Sequence, residues 1–133
     1  MPELVIASAI ESHLKRRPFH SAVCRRIFEL LGVLREIVLE TRDDSSLTPA
    51  GVALVQKHFV GDKAWFTDES DRNKARYRDD LTFADPENTG RSIFCPFHGK
   101  IKIEQFRIHF EWPRPLGQKQ VKVVYIGPKI TRD

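Results

Sequence analysis

The chain changes its hydrophobic period once, near Arg91. Before that point apolar residues recur every three or four positions. After it they recur every second position. Side chains on a helix realign every 3.6 residues and those on a strand every two, so neither pattern suits the other element. Helices first and strands after predict an α+β domain: about three N-terminal helices, then a 3–4 stranded antiparallel β-meander with the helices packed on one face. A chain of 133 residues suits a single domain over 1–133, with a helical part at 1–60, a polar insertion at 61–90 and a basic sheet at 91–133.

The helical part divides into three segments. Val5, Ile6, Ala9, Ile10 and Leu14 form an i, i+4 ladder that ends in Lys15-Arg16-Arg17-Pro18. The basic residues complement a helix C-terminus and the proline stops it. The strongest pattern runs from about Ser21 to Glu40, with Val23, Ile27, Leu30, Leu31, Leu34 and Val38 on one face. Thr48 and Pro49 then supply a cap and a first helical residue for a third helix through Phe59. The stretch 62–80 lacks an apolar face and predicts a solvated short helix or a loop, with Thr67 as its cap. Leu81 to Phe83 predicts a short strand. Beyond Arg91, Ile93 and Cys95 lie on one strand and Lys100 and Lys102 on the next. Phe106, Ile108, Phe110 and Trp112 alternate with Arg107, His109 and Glu111 on a third. Val121 to Gly127 is apolar on nearly both faces, as in a central strand.

Charge is unevenly spread. Residues 91–133 hold 9 Lys/Arg against 3 acids, a net +6, whereas the first 90 residues carry −2. This asymmetry points to a polyanion or an acidic protein as partner. No apolar run has the roughly 18 residues that cross a bilayer, so no membrane partner is expected. Residues 1–17 place their charges after the apolar stretch, the reverse of a secretory signal, which predicts a cytoplasmic chain. Two cysteines make no disulfide framework.

Phe94-Cys95-Pro96-Phe97-His98-Gly99-Lys100 has the Cys-x-x-His-Gly form of a Rieske box. A Rieske cluster needs a second Cys/His pair upstream, and residues 70–90 contain neither residue. His20 and Cys24, four apart on one helix face, complete a Cys2His2 set with Cys95 and His98 that suits zinc. The competing reading, which we favour, makes both cysteines small buried thiols. No cofactor is expected.

Arg107, His109 and Glu111 line one sheet face, with Lys100, Lys102 and Lys122 on neighbouring strands and His98 at the turn beside them. Cleavage of RNA through its own 2′-hydroxyl needs a base, an acid and cations for the charge that builds on phosphorus, but no metal. These residues include candidates for each role: Arg107, His109, Glu111 and His98 for catalysis, and Lys100, Lys102, Lys122 and Arg107 for the nucleic acid. The alternative is a solvated sheet face with paired charges and no chemistry.

Gly99-Lys100, Phe106-Arg107-Ile108-His109-Phe110 and Val123 to Lys129 together resemble the C-terminal sheet of RelE/ParE-type bacterial toxins. That resemblance, over residues 99–129, implies a small basic bacterial-type protein acting on RNA at the ribosome as a metal-independent endoribonuclease or, in the ParE branch, inhibiting gyrase. A non-catalytic protein-interaction module of a larger system and a small structural zinc-binding domain remain as alternatives.

Overall fold

The structure is a computed structural model that describes residues 2–8, 10 and 21–132, the side chains of Thr89 and Glu104 excepted. It is an α+β fold. In chain order the elements are β1 (Leu4–Ile6), α1 (Ser21–Leu39), α2 (Pro49–Phe59), β2 (Phe66–Thr67), α3 (Asp71–Arg76), β3 (Thr82–Asp85), β4 (Asn88–Phe94), β5 (His98–Ile101), a 3-10 turn (Ile103–Gln105), β6 (Phe106–Phe110) and β7 (Val121–Pro128).

The predicted helix over Ser21–Glu40 forms as α1, and Val23, Ile27, Leu30, Leu31, Leu34, Ile37 and Val38 on its apolar face are all buried. Each such side chain contributes about 1.5–3 kcal/mol when fully withdrawn from water. α2 begins where its cap requires: the Thr48 hydroxyl accepts the Gly51 N–H at 3.1 Å and Pro49 occupies the first turn. The stretch 62–80 contains the short α3, none of whose residues is buried. Its cap is Ser70 rather than Thr67, and the Ser70 hydroxyl accepts the Asn73 N–H at 3.1 Å.

The sheet departs from a 3–4 stranded meander. Five strands lie in the order β1-β7-β6-β5-β2, and β3 and β4 form a separate hairpin. Only β5-β6-β7 is a meander. β1 pairs with β7 in parallel, Leu4 opposite Val121 and Ile6 opposite Val123. Val5 and Ile6 are therefore strand where the ladder predicted helix. An apolar run of three fits either period, and an open partner beside β7 decides it. Further along the same ladder Ser8 and Ile10 are helical, and Ala9 and residues 11–20 lie outside the described residues.

Alternation along β6 sorts the two sheet faces. Phe106, Ile108 and Phe110 point inward to a core shared with α1, β1 and Phe66. Gly99 also faces inward, and a Cβ there would lie 2.9 Å from Phe66 and 3.3 Å from Leu30. The missing side chain lets β5 sit under α1 and against β2.

The outer face is not the solvated surface that the charge pattern predicted. Arg107, Glu111 and Lys122 are 7–8% exposed and His109 is 1% exposed. The β3-β4 hairpin accounts for part of this cover. Phe83, Ile93 and Cys95 pack on Val124 and Tyr125 of β7. Lys122 reaches the hairpin through Asp85, at 2.9 and 3.0 Å, and Glu87, at 3.4 Å. Among the described residues, no helix is long and apolar enough to cross a membrane.

Candidate functional site: a carboxylate–imidazole pair beside three cations

Register brings four outer-face residues together. On β5 and β6, His98 lies opposite His109 and Lys100 opposite Arg107. β2, at the sheet edge, places Thr67 opposite His98. The residue before the α3 cap, Glu69, then turns back over β5. Its carboxylate lies 3.0 Å from His98 Nδ1, and both side chains are at least nine-tenths buried. Asn73 Nδ2 and Thr131 Oγ1 each donate to Glu69 Oε1 at 3.3 Å, which fixes the carboxylate.

His98 Nδ1 also faces the Pro96 carbonyl at 3.1 Å. Both of its neighbours are acceptors, so Nδ1 carries the hydrogen. In the neutral ring Nε2 then keeps its lone pair, and it faces the Thr67 hydroxyl at 3.4 Å. Burial by itself raises the Glu69 pKa. Hydrogen bonding and charge from His98, with help from Asn73, outweigh that and hold the carboxyl at about 2, so it is ionised.

This pair borders an outward-opening cleft of about 260 Å³, lined also by Lys100, Arg107 and Lys129. Its other carboxylate, Asp68, is taken by Lys74. Among the described residues, three cations thus face a recess whose two acids are both engaged, which favours an anionic ligand. Arg107 donates to the Phe106 carbonyl at 2.9 Å.

The remaining residues singled out from the sequence lie elsewhere. His109 is enclosed by the rings of Phe83, His98 and Tyr125 and donates from Nδ1 to the Cys95 carbonyl at 2.9 Å. Burial, then the charge of His98, lowers its pKa to about 4, so it is neutral at pH 7. Glu111 accepts from Gln118 Nε2 at 2.8 Å, and Lys122 is held by the hairpin. Lys102 leaves the face because β5 stops at Ile101 and a 3-10 turn follows. It lines a neighbouring groove instead.

Cys95 is fully buried in the outer cluster, where burial pushes its thiol up to about 12. Cys24 is on α1, which packs on the opposite face, and His20 lies outside the described residues. Among the described residues no three His, Cys, Asp or Glu side chains converge as metal ligands.

The sequence reading missed Glu69, Thr131 and Lys129 as members of this site. Glu69 looked like part of a helix-capping acidic run, and nothing local ties it to a histidine on a different strand. No protein-family model matches the chain, and searches of curated proteins and of solved structures return no significant match.

Proposed function

We propose that this cleft binds the phosphodiester backbone of RNA and cleaves it without a metal. The observation that carries the reading is the buried Glu69–His98 pair beside Lys100, Arg107 and Lys129. In this reading His98 Nε2 takes the proton of the 2′-hydroxyl. The 2′-oxygen bonds to phosphorus as the bond from phosphorus to the 5′-oxygen breaks. The Lys100 ammonium gives a proton to the departing 5′-oxygen, and Arg107 and Lys129 meet the charge on the equatorial oxygens. The products are a 2′,3′-cyclic phosphate and a 5′-hydroxyl, and both side chains reset by exchange with water. Glu69 does not touch substrate; it orients the ring and stabilises the imidazolium that forms, as the carboxylate of a triad does. The likeness of residues 99–129 to RelE-type toxins supports the same chemistry and adds the ribosome as the setting.

The experiment mixes purified protein with RNA, with and without ribosomes, and assays 2′,3′-cyclic ends. His98→Ala should lower cleavage at least about 100-fold. Absence of cleavage above that variant in both conditions would overturn the reading.

A further inference from the structure

A second recess opens beside the first. It is lined by Arg26 and Glu29 of α1, Asp62, Lys63 and Trp65 ahead of β2, and Lys100 and Lys102, and its volume is about 630 Å³. Lys100 lines both recesses. Trp65 lines the groove and Thr67, two residues on, lines the cleft, while the Lys100 N–H donates to the Trp65 carbonyl at 3.1 Å, so the two recesses adjoin where the β2 segment meets β5.

Three features fit this groove to a nucleic acid strand. First, among the described residues it holds four cations against two carboxylates, and Glu29 is already paired with Arg26 at 3.2 Å. Among the described residues, Lys63, Lys100 and Lys102 hold no ion pair. Second, Arg26 lies over the Trp65 ring at 4.0 Å, a planar cation on an aromatic wall, and such surfaces receive unstacked bases. Third, the groove leads into the cleft through a shared cation, so one backbone can occupy both.

We infer that this groove is a binding track for single-stranded RNA that holds the nucleotides adjacent to the one in the cleft, with Lys63 and Lys102 on phosphates and a base against the Arg26–Trp65 stack. The single-stranded requirement follows from the reaction. A 2′-oxygen must align with phosphorus and the departing oxygen, and a stacked A-form duplex keeps them out of line. The inference rests on the cleft's assignment to RNA, but its own test does not need cleavage.

The probe is a fluorescein-labelled oligonucleotide dU12, which lacks the 2′-hydroxyl and stays intact. Lys63 and Lys102 are both exposed, so Lys63→Ala/Lys102→Ala leaves the core untouched. At about 50 mM salt the double variant should bind dU12 at least roughly tenfold more weakly, and its salt slope should fall by about 1.4, as expected for two lost phosphate contacts on a single strand. Unchanged affinity and slope would overturn the track even if U12 RNA is cleaved. Weakened binding with no cleavage of RNA above His98→Ala, either with or without ribosomes, would keep the track and remove the nuclease reading. Equal affinity for the dU12·dA12 duplex would overturn the single-strand assignment. Equal affinity for poly-glutamate through the same two lysines would overturn it in favour of an acidic protein partner.

Discussion

At the scale of residues, the two outer-face histidines divide their work by environment. His98 has a carboxylate on one nitrogen and a cleft beside the other; His109 has a carbonyl and three rings. His109 carries a consequence for stability. Its folded pKa, about 4, lies below its ordinary value of 6.5, so between those values the unfolded chain takes up a proton that the folded chain refuses. Stability is therefore full above pH 6.5 and falls as pH drops through that window, by about 3 kcal/mol in all. Glu69 acts in a lower window. Its folded pKa of about 2 is below 4.5, so its contribution is complete above 4.5 and fades as pH falls toward 2. His109→Gln keeps an N–H for the Cys95 carbonyl but cannot be protonated. Urea unfolding at pH 7 and pH 4.5 should show a smaller loss for that variant than for the wild type; equal losses would rule His109 out as the acid-sensitive group.

At the scale of elements, the hairpin and the sheet share one buried ion pair. Lys122 on β7 and Asp85 on β3 are nearly inaccessible, and their atoms meet at 2.9 and 3.0 Å. Taking away one partner strands the other charge under the hairpin, whereas replacing both with apolar residues of similar size does not. Lys122→Met alone should lower the urea midpoint and speed amide exchange across β3 and β4. Adding Asp85→Leu should recover much of both losses, and a double variant worse than the single would contradict this account. The same pair shows where the sequence falls short. Lys122 on a basic strand reads as solvent-facing charge, because the acid that buries it belongs to a hairpin 37 positions away. The elements α1 and α2 were legible, since apolar spacing and the Thr48-Pro49 cap are local signals. So was the inward row of β6. The face that row leaves outward was legible as a set, and register does bring His98, Lys100 and Arg107 together. Its cover was not, nor was Glu69, because both depend on where residues 61–94 fold back.

At the scale of the whole molecule, two recesses lie toward the β2 edge of the sheet while β1 forms the opposite edge. The candidate chemistry therefore sits far along the sheet from the N-terminal strand, at the end where β2 contributes only two residues. A short edge strand offers little for another chain to pair with, which keeps this rim open without inviting edge-to-edge association.

The parallel pairing of residues 4–6 with residues 121–123 also sets an order of assembly during translation. β1 leaves the ribosome early, but its partner emerges only after the helices, the hairpin and β6. Until then Leu4 and Val5 have no ladder to join, and the core face of β6 lacks its neighbour on one side. Closing so long a loop is slow relative to local contacts. Ribosome-stalled chains that expose only residues 1–110 should stay protease-sensitive, and chains that expose residue 128 should become resistant in one step. Gradual resistance would show that β1 had found another place to rest. The cleft draws on residues from Thr67 to Thr131, so its lining is assembled only once Thr131 has left the exit tunnel.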